Sequence, residues 1–334
     1  MVAVIARRTT KESGLRPMEP GRDLAGVAQL VQDAFADELD RSGQAALREM
    51  RSMSRLGPLL WWLDRASVEF NELLSGFVWV EEGRIVGNVT VSRAAPGSYR
   101  WIISNVAVAE RYRGRGIARS LMDAAIELIH EWGGKVIVLQ VRHNNPPAVH
   151  LYRSMGFQEI FGTTYLHLDR VPRVEPFRPE YGLLRPRRFE GFDAHLRYEL
   201  ARATTPERVQ IEQPVRRTQY RLGFEHQLAD LTRHLVGGGP TLRLVLEIGD
   251  HLGASVTAET GTWWREARLS LAVHPDLQGR VEKGLVSHAL YHLRHWPRRQ
   301  ILAHHPTYHP EGIEVFKLFG FREVRTLLWM RRDL

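Results

Sequence analysis

Between Trp101 and Ile129 the hydrophobic pattern changes period once, and the rest of the chain is arranged around that change. Trp101 to Val108 reads as a strand. A basic, glycine-bearing stretch follows, and then Ile117, Leu121, Ala124, Ala125, Leu128 and Ile129 recur at the spacing of one helix face. Upstream, Gly14 to Met18 reads as a short strand, and Pro20 and Asp23 open a helix carrying Leu24, Val27, Leu30, Val31, Ala34 and Phe35. A second helical pattern over Gln44–Leu63 carries the pair Trp61-Trp62, a packing pair. Phe77–Glu81 and Arg84–Ser92 form a hairpin around Gly83. Downstream, Gly133-Gly134 stops the helix. Val136–Val141 is a continuous apolar run suited to a strand covered on both faces. Asn144–Met155 is a helix with Pro146 and Pro147 in its first turn, where a missing N–H costs little. Gly156-Phe157 closes it, and two short strands run to Leu168.

Arg170 to Arg188 holds Pro172, Pro176, Pro179 and Pro186 among charges, the composition of a semi-rigid linker. Beyond it the series starts again: helices around Phe189–Ala203 and Tyr220–Leu235, a hairpin of Leu242–Ile248 and Leu252–Thr257 turning at Gly249-Asp250, a strand at Arg268–Val273, a helix through Leu285–Leu293, a strand at Gln300–His304 and a helix at Ile313–Phe321. Val108–Arg115 matches Val273–Arg280 in pattern, and Ala148–Phe157 matches Gly312–Phe321. Two matches at nearly one offset, roughly 165 residues, indicate a duplicated domain, since solenoid repeats are far shorter.

The 334 residues suffice for two ordinary domains, and 43% hydrophobic with 25% charged residues is the balance of a folded protein. No apolar run reaches membrane-spanning length, and the opening segment places its charge after its apolar run, the reverse of a secretory signal. A cytoplasmic location is the default. The absence of cysteine excludes disulfides and thiol nucleophiles. A net charge of +8 suits a polyanionic partner, but the arginines are dispersed along the chain, which favours a phosphorylated small molecule over nucleic acid.

Chemistry enters at the change of period. Unpaired N–H groups at a helix start and the positive end of its dipole favour phosphate. Gly114 and Gly116 allow close backbone approach, and Arg111, Arg113, Arg115 and Arg119 add positive charge. Strand, glycine loop and helix start together form a turn that holds a pyrophosphate.

Arg113-Gly-Arg-Gly-Ile-Ala118, followed by Asn145-Pro-Pro-Ala-Val-His-Leu-Tyr152 and Met155-Gly-Phe157, resembles the GCN5-related N-acetyltransferase (GNAT) superfamily. The resemblance is close over residues 14–168 and degraded over 182–334. It implies an α/β (α+β) chain of two tandem GNAT-like domains at 14–169 and 189–334, joined by the linker at 170–188. Each would have a mixed, mostly antiparallel central sheet flanked by helices. It implies acetyl-CoA as co-substrate and no metal. Main-chain groups of Val106 and Val108 would pair with the pantetheine arm. Main-chain N–H groups of Arg113, Gly114, Arg115, Gly116, Ile117, Ala118 and Arg119 would cradle the pyrophosphate. Asn145 would contact the co-substrate beyond the reacting centre, and Tyr152 would protonate the leaving thiolate.

The chain also departs from the pattern. Around Leu139-Gln-Val-Arg142 it looks like ribosomal-protein alanine acetyltransferases, which carry a glutamate base where Gln140 stands; glutamine can orient a water but accepts no proton. Glu38, Glu81, His143 and His150 are available bases that read as surface residues. In the second copy Val281 and Lys283 stand at the small-residue positions, Glu282 brings negative charge to the loop, Phe316 replaces Tyr152 and His309 replaces Asn145. That copy reads as unable to catalyse or hold acetyl-CoA, and kept for packing or for shaping the acceptor site. His304, His305 and His309 lack the spacing of zinc ligands. The expected activity is transfer of an acetyl group to a primary amine of a small molecule in a ternary complex. A protein N-terminus or lysine is the alternative acceptor, and a non-catalytic acyl-CoA-binding scaffold the alternative class.

Overall fold

The computed structural model describes residues 13–34, 48, 75–175, 183–186, 193–220, 241–260, 266–294 and 300–334. Apart from residue 48, the expected helix at 44–63 with its tryptophan pair lies outside them, as do Glu38 and nearly all of the helix expected at 220–235.

The first half opens with strand β1 (Gly14–Pro17) and helix α1 (Pro20–Ala34). Asp23, 2% exposed, ties the two together: it accepts both guanidinium N–H groups of Arg16 at 2.6 and 2.7 Å and the Glu19 amide at 2.8 Å. Strands β2 (Ser75–Glu81), β3 (Arg84–Arg93) and β4 (Arg100–Val108) extend β1 as an antiparallel meander. Helix α2 (Ile117–Glu131) then crosses over to β5 (Val136–Arg142), which pairs parallel with β4 as a strand–helix–strand unit requires. The apolar face of α2, from Ile117 through Leu121, Met122 and Ala125 to Ile129, is buried. Helix α3 (Pro146–Ser154) follows, and Gly156 at φ 85° ends it, with Phe157 N–H returning to Tyr152 C=O at 3.0 Å.

One strand, β6 (Gln158–Leu168), replaces the two short strands expected there. Gly162, within this strand, is a packing glycine. A Cβ on it would lie 2.7 Å from the Thr307 methyl, and its backbone exchanges hydrogen bonds with Thr307 at 2.9 Å each way.

Part of the stretch read as linker is also a strand, β7 (Leu183–Pro186), which pairs with β8 (Leu242–Ile248). Helices α4 (Asp193–Thr204) and α5 (Glu207–Glu212) precede β8. The meander β7–β8–β9–β10, with β9 at His251–Glu259 and β10 at Ala267–Val273, repeats β1–β4. Helix α6 (Glu282–Leu293), the parallel strand β11 (Ile301–Pro306), helix α7 (Pro310–Leu318) and strand β12 (Arg322–Asp333) complete the second series.

The compact units are not the two halves of the sequence. One consists of Met1–Gln140, His150–Gln158 and Met330–Leu334, the other of Val141–Val149 and Glu159–Trp329. Within the second unit β6 pairs antiparallel with β11 from Ile301↔Leu168 to Pro306↔Thr163, and Leu166 and Leu168 belong to its core with Leu269, Leu285 and Phe321. Within the first unit the chain end is bound in place, with Leu334 N–H on Lys135 C=O at 3.0 Å and Arg332 on Met155 C=O at 2.8 Å.

Candidate functional site

The first unit carries the loop on which the sequence analysis centred. Strand β4 stays paired with β5 only from Arg100↔Val136 to Ile103↔Leu139. Among the described residues, Ser104 to Val108 continue along β3 alone, with no strand on their other edge.

A bulge marks the start of this open segment. Thr90 faces Ser104 and Asn88 faces Ala107, so Val89 is opposed by both Asn105 and Val106. Asn105 sits in the left-handed region at φ 51°. Two asparagines hold it: Asn88, fully buried, donates to Asn105 C=O at 3.0 Å, and Asn105 donates to Thr90 Oγ1 at 3.3 Å. Beyond the bulge, Ala109 N–H goes to Val86 C=O on β3 at 2.8 Å. Backbone groups alternate in direction along a strand, so those of Val108 and Val106 point away from β3 toward the open edge. Arg113 Nε occupies Val108 C=O at 3.1 Å. Asn88→Ala is expected to lower stability by about 1–3 kcal/mol by stripping the Asn105 carbonyl of its donor. Denaturant unfolding reads this directly.

The loop itself turns through Gly114 (φ 76°) and Gly116 (φ 79°), and a Cβ added to either would meet nothing within 4 Å. Gly116 is the N-cap of α2 and no side chain caps the helix. The first return bond is Ser120 N–H to Gly116 C=O at 3.1 Å, and among the described residues nothing accepts the N–H groups of Gly114 through Arg119. A row of unsatisfied donors at a helix start has the chemistry to receive an anion. Ile117 contributes only its N–H, because its side chain is 4% exposed in the core. The arginines are placed around this row. Arg115 lies over the Tyr112 ring at 5.0 Å and donates to Arg111 C=O at 3.2 Å, while Arg119 reaches Ser154 Oγ on α3 at 2.6 Å. Arg111 and Arg113 line an adjoining cavity of about 720 Å³ between α1 and the β2–β3 hairpin.

Tyr152 on α3 is 6% exposed, its ring edge-on to Phe157 at 6.0 Å. Burial pushes its hydroxyl from 10.0 up to about 12, so it keeps its proton. Among the described residues the hydroxyl has no partner, and it is not one of the fully enclosed unpaired atoms. Asn145, at the start of α3, accepts Ala148 N–H at 3.2 Å and acts as a helix cap. Gln140, His143 and His150 are exposed, and Glu81 accepts Trp79 Nε1–H at 2.9 Å.

The second unit holds the counterpart loop in altered form. Gly279 keeps the left-handed turn at φ 78°, but Val281 caps α6 at φ −113° where Gly116 has φ 79°. The ladder between β9 and β10 runs from Arg268↔Glu259 to Val273↔Ala254 with no bulge. Phe316 takes the place of Tyr152, edge-on to Phe321 at 5.1 Å, with Phe321 N–H on Phe316 C=O at 3.1 Å. Sequence reasoning placed Glu282 beside the loop but missed its direction. The side chain is 1% exposed and turns back into the loop. Glu282, which sequence reasoning weighed apart from His305 and His309, is joined to them there.

Comparison with known proteins matches this arrangement. The Acetyltransferase (GNAT) family model matches residues 32–157. A streptothricin acetyltransferase of Streptomyces lavendulae is 40% identical over 76 residues, covering 23% of this chain and 40% of that protein. A mycothiol acetyltransferase of Renibacterium salmoninarum is 28% identical over 149 residues, covering 43% and 40%. The chain thus spans about two fifths of the length of these curated relatives. The solved GCN5-related N-acetyltransferase of Sphaerobacter thermophilus superposes with a TM-score of 0.57 at 16% identity, covering 96% of this chain and 95% of that one, a likeness of fold. Residues 32–157 thus match the Acetyltransferase (GNAT) family, and the chain over nearly its whole length shares the fold of a solved GCN5-related N-acetyltransferase.

Proposed function

We propose that the first half is an acetyl-CoA-dependent N-acetyltransferase acting on a primary amine of a small molecule, by direct attack in a ternary complex, and that the second half is non-catalytic. The observation that carries the reading is the run of unaccepted N–H groups from Gly114 to Arg119 beside the open edge of β4. A pyrophosphate satisfies the first, and an extended amide-bearing arm pairs along the second. Acetyl-CoA supplies the activated acetyl group. The Val106 N–H, freed by the bulge, faces the charge that develops on the thioester oxygen. The acceptor amine enters neutral, having lost one proton to water, and loses a second as the amide forms. The departing sulfur gains one.

Tyr152 acts on that sulfur. With its hydroxyl near 12 and an ordinary thiol near 8.5, full transfer of the phenolic proton is uphill by roughly 5 kcal/mol. Its role is then to donate a strong hydrogen bond to the developing thiolate, while the net proton comes from the amine. Gln140 supports a small acceptor, since the chain lacks a carboxylate where relatives that acetylate a protein terminus carry one. So do the relatives named for streptothricin and mycothiol.

Thiol release from acetyl-CoA across a panel of small amines and peptides tests the proposal. Turnover with small amines is expected. Turnover with peptide N-termini alone would reassign the acceptor, and binding without turnover on any amine would make the chain an acyl-CoA-binding scaffold.

A further inference from the structure

The counterpart loop in the second unit is filled from within. One Glu282 oxygen accepts Gly279 N–H at 2.8 Å and the other accepts Val281 N–H at 3.1 Å. In the first half the corresponding N–H groups, of Gly114 and Gly116, have no acceptor among the described residues. Glu282 stands where Ile117 stands in the first copy, at the first helical position, and puts a carboxylate at the positive end of α6. Two histidines lock it there. His309 Nε2 lies 2.9 Å from Glu282 Oε1, and His305 Nε2 lies 3.0 Å from His309 Nδ1. An ionised carboxylate only accepts, so His309 donates to it from Nε2, and one further hydrogen bond joins His309 Nδ1 to His305 Nε2. His309 therefore leaves its helix uncapped, unlike Asn145, and serves the loop. Gly312 completes the fit: a Cβ there would lie 2.2 Å from His305 Nε2, at the position that is Ala148 in the first copy.

We propose that Glu282 is a built-in occupant of the second copy's phosphate cradle and is what shuts acyl-CoA out of that half. The proposal rests on reading the Gly114–Arg119 loop as a pyrophosphate site. A phosphate entering here meets a buried carboxylate that already holds the two donors it needs, and like charge repels it. Burial alone would raise the Glu282 carboxyl, but the hydrogen bonds from His309 and the Gly279 amide hold it below its usual range, so it stays charged. His305 stays neutral, since burial and then His309 push it down to about 3. Exclusion by Glu282 thus differs from the mere loss of contacts suggested by Val281 and Phe316, because it is reversible by one substitution.

The test is calorimetric titration of the full chain with inorganic pyrophosphate, for wild type, Glu282→Ala and Glu282→Ala combined with Gly116→Val. Glu282→Ala is expected to gain one pyrophosphate site per chain, tightening binding at the second loop at least about tenfold, and to keep that site when Gly116→Val removes the first. A folded Glu282→Ala protein with no added site overturns the proposal. The second measurement needs no variant of the loop: in wild type, the ring signals of His309 followed by NMR are expected to stay fixed during pyrophosphate titration. If they shift, the loop is open and the proposal is wrong. Failure of the first-half reading shows separately, as wild type whose pyrophosphate binding is insensitive to Gly116→Val.

Discussion

Tyr152→Phe is expected to lower kcat by roughly 10- to 150-fold, the equivalent of one charge-assisted hydrogen bond of about 1.5–3 kcal/mol. The KM for acetyl-CoA should stay nearly unchanged, because the bond forms only as charge builds on the sulfur. The molecule itself shows that the substitution is structurally mild. Phe316 sits in the counterpart helix α7, before the counterpart glycine turn at Gly320, against the matching Phe321, and is 1% exposed. A Tyr152→Phe protein with full kcat would remove the hydroxyl from the mechanism. The raised pKa adds a second signature. Below pH 10 both folded and unfolded states keep the phenolic proton. Between 10 and about 12 only the folded state does, so stability falls with rising pH by about 2 to 3 kcal/mol. Urea unfolding across that window should show a smaller decline in Tyr152→Phe.

Cutting the chain between its halves is expected to cost more than any point substitution. Residues 1–169 alone would carry β6 without β11 and leave Leu166 and Leu168 without the core they join. They would also lack Met330–Leu334, which belong to the first unit. Two fully buried leucines account for about 3–6 kcal/mol, a large share of the net stability of a domain. Each half expressed alone should therefore aggregate or unfold without a cooperative transition. The halves co-expressed from two genes should recover a one-to-one complex that melts cooperatively. Two stable, separately folded halves would contradict the exchange of segments.

This exchange is the part of the fold least visible in the sequence. The meander, the crossover helix and the duplication are local in pattern: Gly83 and Gly249-Asp250 turn the hairpins, and the apolar face of α2 keeps helical period from Ile117 to Ile129. Which strand β6 pairs with is set by distant residues such as Thr307, and a strand carries the same alternation whichever neighbour it has. The strand Leu183–Pro186 was hidden by proline, tolerated because β7 pairs on one side only among the described strands. At the proposed site, the turn through Gly114 and Gly116 could be read, because the positive φ that both adopt favours glycine. The bulge could not, since Asn105 takes a left-handed conformation without glycine, on bonds to Asn88 and Thr90. The direction of Glu282 could not either, for its partner His309 lies 27 residues away.

The central claim is that one loop, Gly114–Arg119, holds acetyl-CoA and that its counterpart does not. Calorimetric titration of acetyl-CoA into the wild type and into Gly116→Val measures it directly. A branched side chain at φ 79° is strained and projects into the open space in front of the cradle, so the variant should lose binding while circular dichroism shows the fold retained. One acetyl-CoA per chain in the wild type, and none in Gly116→Val, is the predicted result. Two per chain, or one that survives the substitution, would contradict it.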